Sequence, residues 1–412
     1  MPSQFATLPA QNTPPMRKTL LVLLVVSLAT ACQHDLFSTH FRSGGGRPPK
    51  RPPSPELLPE GMAVWATAVS FHDTTDWRAG ETGGAGLLLF KNGVRVDSLP
   101  AKDCHQPAQH RFREGYLWTN ATDGTQSFIW RDGEPWLSYE GEETLSGFLI
   151  QNGRIHTLGQ RPGGGFCYRI DGKAVYASAR GLVLGSADDP DWEGGALTSD
   201  GGIVCYTVGL AQQSADTPVW EYRLMRGNDI WKVITPPADA QLFDVRVCGG
   251  VCYRLELRYD RYCLIEDEEV RVLQGRGEQG DLKLIPTDEG IAATGNSLLG
   301  PARMGWVEEA DGRYQQYLHL GGGKLRLSFR GGVLTILLFT PEETLSGVRI
   351  GSQLISFPEG VYRLQYGRCA LPCNGTLALA LTAANGDRHC LWVGGTEQEV
   401  RFNGYFTGIY IE

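Results

Sequence analysis

The chain has 412 residues, of which 42% are hydrophobic, and a formal net charge of −8. The apolar content is ample for a large core, and the acidic balance, with a basic run only in one short linker, argues against nucleic acid as a partner. Length alone would suggest two or three domains, a prior that an internal repeat overrides.

From the N-terminus, Met16-Arg17-Lys18 opens a segment that reads as a signal peptide: two basic residues, an apolar run at 20–28, then Ala29-Thr30-Ala31-Cys32. The run is shorter than the ~20 residues a spanning helix needs. Residues 1–15 are polar and proline-bearing, which points to Met16 as the true start. The tract before Cys32 resembles the lipobox of bacterial lipoproteins, which implies cleavage before Cys32 and acylation of its thiol. The family usually has Leu three residues before the Cys; here Ala29 stands there and Leu28 one place further back. An ordinary secretory signal cleaved nearby is the alternative. Residues 1–31 are then a leader. Residues 32–60, with Gly44-Gly45-Gly46 and Pro48-Pro49-Lys50-Arg51-Pro52-Pro53, form a Gly/Pro-rich tether.

Residues 61–412 are organised by a repeat, clearest at 244–275. Apolar or alternating stretches there are separated by Gly249-Gly250 and Asp267-Glu268, giving four short antiparallel strands, a to d. Turns from c to d recur at Asn92-Gly93, Asp132-Gly133, Asp171-Gly172, Gly227-Asn228, Asp267-Glu268, Asp311-Gly312, Gly351-Ser352 and Gly394-Gly395. Turns from a to b recur at Glu114-Gly115, Asn152-Gly153, Asp200-Gly201, Gly249-Gly250, Glu289-Gly290, Gly331-Gly332 and Asn374-Gly375. The step of about 40 to 45 residues is the period of a propeller blade. The first repeat starts at strand b, and the chain ends in an orphan strand at 406–411. Used as strand a of blade 1, that segment closes the ring and removes an exposed edge. The expectation is an all-β, eight-bladed β-propeller of four-stranded antiparallel blades. Seven blades is the alternative if the weaker 280–360 region divides differently.

Leu89-Phe90-Lys91-Asn92-Gly93-Val94, Ile129-Trp130-Arg131-Asp132-Gly133 and Gly332-Val333-Leu334 resemble the tandem units of bacterial exported propeller proteins, in which Tyr/Trp-x-Asn/Asp-Gly precedes a short apolar strand. The resemblance covers about 350 residues and implies the fold. It implies no activity, because propellers host many unrelated ones.

Of ten cysteines, Cys32 belongs to the leader. Cys167, Cys263 and Cys390 share a strand c position, and Cys205 and Cys252 a strand b position, which points to packing rather than chemistry. Cys369 and Cys373 are the best disulfide candidates; Cys248 and Cys252, flanking a tight turn, are a weaker pair. Cys104, His105 and His110 admit a metal reading, although ordinary loop residues explain them as well. There is no HExxH, no CxxC and no GxSxG elbow. Trp118, Trp130, Trp220 and Trp392 read as inter-blade core.

In a propeller the a–b and c–d turns share one rim, and the b–c and d–a connections share the other. The first set is uniformly tight. The second includes long segments at 72–84, 100–110, 179–195 and 210–218, and function concentrates on long loops held by a rigid scaffold. Asp188, Asp189, Asp191 and Glu193 surround Trp192, and Asp73, Asp76 and Trp77 make a second such cluster. Carboxylates beside an aromatic platform suit a sugar, and oxygen-rich loops suit calcium; a solvated acidic loop is the bland reading. No other cofactor and no catalytic residue is indicated. The sequence therefore points to a lipid-anchored protein of the bacterial cell envelope, its propeller outside the cytoplasm, binding a glycan or an envelope protein. A carbohydrate-active enzyme using the loop carboxylates and a purely structural envelope component are the alternatives.

Overall fold

The structure, a computed structural model, describes residues 63–71, 85–100, 109–122, 126–141, 143–185, 195–212, 219–275, 282–287, 290–299, 302–320, 323–330, 333–373, 376–385 and 388–411. The signal peptide, Cys32 and the tether lie outside them. Among the described residues no helix is long and apolar enough to cross a membrane.

Eight antiparallel sheets follow one another along the chain. Blade 5 shows the plan: a is Ala240–Cys248, b Val251–Arg258, c Arg261–Glu266 and d Glu269–Val272, paired in that order. Blades 2, 3, 6 and 7 repeat it. In blades 4 and 8 strand a is in two pieces, Leu182–Val183 with Thr198–Asp200 and Tyr362–Arg363 with Ala370–Cys373, each piece pairing with strand b. Eight blades, not seven, make up the domain, and the 280–360 region supplies two ordinary ones.

Strand a of blade 1 is the end of the chain. Gly404–Ile411 pairs antiparallel with Val64–Phe71, from Val64 opposite Ile411 to Ser70 opposite Gly404. The Thr67 and Thr407 hydroxyls meet at 2.9 Å in the buried seam. Asn403 adds two bonds to Phe71, its carbonyl accepting from Phe71 N at 2.8 Å and its Nδ2 donating to Phe71 O at 2.9 Å. The orphan strand thus closes the ring.

Alternation along each strand sends side chains to both sheet faces, and each face packs on a neighbouring blade. Phe166, Tyr168, Leu197 and Tyr206 fill the 3/4 interface, and Leu255, Leu284, Ile291 and Trp306 the 5/6 interface. The largest cluster spans blades 7, 8 and 1 and contains Leu337, Leu379, Trp392, Phe406 and Ile409. The cysteines at repeated positions belong to this packing: Cys167, Cys205, Cys252, Cys263 and Cys390 are free and buried. Burial pushes the thiols of Cys205 and Cys252 up to about 11 and that of Cys390 to about 12, so all three are protonated at neutral pH and inert.

Two sequence expectations are corrected. Cys248 and Cys252 are free thiols, so the disulfide expected as the weaker pair is not made. Cys369 is buried and its Sγ donates to Phe406 O at 3.5 Å, while the side chain of its expected partner Cys373 lies outside the described residues. Among the tryptophans, Trp118 and Trp392 are buried between blades as expected, but Trp130 and Trp220 are only half-buried.

Candidate functional site

On the rim of tight turns, the c–d turns of blades 1 to 3 share one device. Asn92, Asp132 and Asp171 take positive φ of 50°, 50° and 49°, each followed by a glycine at 74°, 86° and 76°. This is the two-residue hairpin geometry that favours Asn-Gly and Asp-Gly. Each side chain then reaches across to strand b: Asn92 Oδ1 accepts from Val64 N at 2.8 Å, Asp132 Oδ1 from Leu117 N at 2.7 Å and Asp171 Oδ1 from Ile155 N at 2.9 Å. Their backbone N–H groups return the contact, donating to the carbonyls of the same three residues at 2.8 Å. The Asn/Asp-Gly signature is therefore a lock between the c–d turn and strand b, and its carboxylates are occupied.

A second repeated feature adjoins the lock. In blades 1 to 4 the pairing of c with d slips by one residue beyond the turn. The extra residue on strand d is Val96, Trp136, Val175 or Trp231, and all four are exposed apolar side chains. Such a bulge re-aims the side chain it carries. The c–d pairings of blades 5 to 8 run without a slip.

The opposite rim carries the b–c and d–a connections. They are not uniformly long: in blade 5, Tyr259 and Asp260 alone join b to c, both at positive φ, 46° and 59°. Tyr259 is 83% exposed there. The acidic loop residues Asp188, Asp189, Asp191, Trp192 and Glu193 lie outside the described residues, as do Asp73, Asp76 and Trp77. So do Cys104 and His105, and the side chains of His110 and Cys373.

The anchor points of these loops are described. The segment bearing Asp188 to Glu193 leaves at Gly185 and returns at Gly195, interrupting the innermost strand of blade 4. A Cβ on Gly185 would lie 3.3 Å from Ala196 Cα, so the two ends of the loop are pinched together. Gly195 bridges to Gly147 of blade 3, and Ala196 N donates to Ser146 O at 2.9 Å. Arg246 of blade 5 donates from its guanidinium to Gly195 O at 3.1 Å and is paired with Asp244 at 3.1 Å. Asp244 Oδ2 also accepts from Leu284 N of blade 6 at 3.0 Å. Arg246 and Asp244 are buried, and the pair ties the loop base of blade 4 to blades 5 and 6. The segment 72–84 departs instead from blade 1, between strands b and c. Blades 2 and 3 separate the two anchor points.

Other buried ionisable groups have structural partners. Glu256 accepts from Arg258 at 2.7 Å and Glu308 from Arg271 at 2.8 Å. His389 lies 3.9 Å from the Phe402 ring, with Nε2 donating to Phe402 O and Nδ1 accepting from Ala383 N. His156 Nδ1 meets the Tyr168 hydroxyl at 2.7 Å, and burial lowers its pKa. Among the described residues no group of three or more His, Cys, Asp or Glu side chains is placed to hold a metal.

One cluster on the tight rim was missed in the sequence. On blade 2 the Arg131 guanidinium carbon lies 3.8 Å from the Trp136 ring centre, 4.6 Å from that of Tyr116 and 5.9 Å from that of Trp118. Trp118 and Arg131 are cross-strand partners, Tyr116 is two residues before Trp118 on the same face, and Trp136 is the bulge residue. Arg131-Asp132-Gly133 was legible as a turn, but pairing alone brings the rings together.

No protein-family model and no curated protein sequence matches this chain. Among solved structures, apo AztD from Citrobacter koseri is similar at 13% identity and a TM-score of 0.48, over 85% of this chain and 98% of that one. The acylaminoacyl peptidase of Pyrococcus horikoshii is similar at 11% identity and a TM-score of 0.46, over 71% of this chain and 51% of that one. A quinonprotein alcohol dehydrogenase-like protein from Bacteroides thetaiotaomicron follows at 9% identity and a TM-score of 0.30, over 86% and 92%. Likeness at this level carries no inference about activity, and the eight-bladed propeller assignment rests on the strand pairings of the chain itself.

Proposed function

We propose that this chain is an exported, lipid-anchored binding or scaffold protein, attached through Cys32, whose propeller presents its long-connection rim to a glycan or an envelope protein. The observation that carries the reading is the contrast between the rims. One carries, in blades 1 to 3, c–d turns whose Asn or Asp side chains are locked onto strand b. The other anchors an acidic, Trp-bearing segment on a base pinned by Ser146, Gly147, Asp244 and Arg246. A rigid base under a long loop is how scaffolds hold recognition residues. The carboxylates of Asp188, Asp189, Asp191 and Glu193 beside Trp192, with Asp73, Asp76 and Trp77 as a second group, suit the hydroxyls and ring face of a sugar, with calcium as the ion such a loop would take.

The test is a glycan-array screen of the purified chain with and without calcium, followed by Trp192→Ala and Asp188→Asn/Asp191→Asn variants. The expected result is saturable binding to one glycan class that the variants abolish at unchanged thermal stability. Binding untouched by those variants would remove the loop from the account, and turnover of the bound glycan would replace the binder with an enzyme.

A further inference from the structure

The Arg131 cluster differs from its counterpart elsewhere in the ring. Blade 4 repeats the geometry: Arg226 ends strand c, Trp231 is the bulge residue, and the guanidinium lies 5.6 Å from the Trp231 ring centre. There the arginine also faces an internal anion, Arg226 to Asp200 at 3.9 Å. Arg131 has three rings around it and, among the described residues, no carboxylate or carbonyl that accepts from it. Asp132, next in the chain, is committed to Leu117 N. Glu134, opposite Arg131 in the pairing, is exposed and makes no ion pair with it. Trp136 is 50% exposed and Tyr116 40%.

The physical consequence is specific. Aromatic rings hold a guanidinium by its faces through cation–π attraction and restrict the rotation of its long side chain. Its N–H groups lie in the plane, at the edge, in a fork that matches a carboxylate. A guanidinium held this way has lost part of its hydration and conformational entropy before any ligand arrives, so an incoming anion pays less for ordering it. The adjacent exposed rings offer the flat apolar surface on which a pyranose ring packs.

We propose that Arg131, Trp136 and Tyr116 form a binding site for an acidic saccharide on the tight-turn rim of blade 2, the sugar carboxylate on the Arg131 edge and the sugar ring against the exposed aromatics. The site shares no residue with the long-connection rim. It rests on the reading of the propeller as a glycan binder only for the class of ligand.

The experiment is a tryptophan-fluorescence titration of the full chain with a glucuronate-containing oligosaccharide, with its carboxyl-reduced neutral form, with acetate and with tetramethylammonium. The expected result is saturable quenching by the acidic sugar, weak response to acetate and none to the neutral form. Arg131→Gln should weaken binding roughly 10-fold to 100-fold, the worth of a charge-assisted hydrogen bond. Trp136→Ala should weaken it as well, and Glu134→Gln should tighten it by removing a competing anion; these exposed positions leave the fold intact even if Arg131→Gln does not. Equal binding of the neutral form, or no binding of the acidic one, overturns the proposal. Tetramethylammonium competing for the rings would make the cluster a cation cage and overturn it too. Acidic-sugar binding lost in Trp192→Ala but kept in Arg131→Gln would overturn this site while sparing the long-connection rim; the converse would sink that rim's role and support this one.

Discussion

Asp132 sits at φ 50°, a region that L residues with a Cβ seldom occupy, and its carboxylate bonds to Leu117 N. Asn and Asp tolerate this conformation better than other non-glycine residues and also supply an acceptor. Asp132→Asn should therefore be nearly neutral. Asp132→Ala loses the hydrogen bond and keeps the strained φ, and should cost about 1–2 kcal/mol, read as a lower denaturant midpoint at unchanged slope. Equal midpoints for the Ala and Asn variants would show that the lock contributes nothing. His156 makes a second residue-scale prediction. Burial depresses its folded-state pKa below the ordinary imidazole value, so the unfolded chain takes up the proton first. Stability is then complete above the unfolded pKa and falls as pH drops through it toward the folded value. Denaturant midpoints at pH 7.5 and 5.0 should diverge in the wild type, and that divergence should shrink in His156→Gln. An unchanged divergence would assign the pH response to other groups.

At the scale of the element, the C-terminal strand decides whether the ring is closed. Gly404 enters it at φ 150°, and a Cβ there would lie 1.8 Å from Val69 O. That contact is with backbone, so no side-chain rotation relieves it. Gly404→Ala should cost roughly 3 kcal/mol or more and loosen the pairing of Gly404–Ile411 with Val64–Phe71. Gly115, at φ 78° with nothing within 4 Å of a Cβ, is the control; Gly115→Ala carries the dihedral strain alone, about 1 kcal/mol. Thermal melts of the two variants should separate clearly, and coincident melts would remove the steric argument. The bulges of blades 1 to 4 are element-scale features of another kind. They leave the core faces in register and change only which side chain is exposed near the turn, which is how Trp136 comes to lie over Arg131 and Trp231 over Arg226.

Across the whole molecule, eight sheets share their faces with neighbours, so each blade depends on the next and the apolar clusters run from interface to interface around the ring. The two rims inherit different freedom from this. A two-residue turn must satisfy strand pairing on both sides, which leaves little room for variation. A connection between blades, or between strands b and c, need only bridge its anchor points, so its length and composition are open to function. Arg246 and Asp244 show the scaffold side of that bargain: both are buried, and they hold the base of the blade 4 loop rather than any ligand.

The architecture was readable from the sequence because a blade is local. Its strands are consecutive, its hairpins are marked by Asn-Gly, Asp-Gly and Gly-Gly, and the repeat multiplies a weak signal eightfold. Even the closure followed, since an unmatched first strand b and an orphan last strand leave one economical pairing. The recurrent cysteines were legible as packing for the same reason. The sequence misled at Cys248 and Cys252, where closeness along the chain suggested a bond but both thiols are free. It was silent on the Arg131 cluster, because the contact depends on cross-strand register and on a one-residue bulge that has no composition signal. Which buried charges brace the loop base was equally invisible: Arg246, Gly195 and Ser146 are far apart in the chain, and only the curvature of the ring brings blades 3, 4 and 5 to one place.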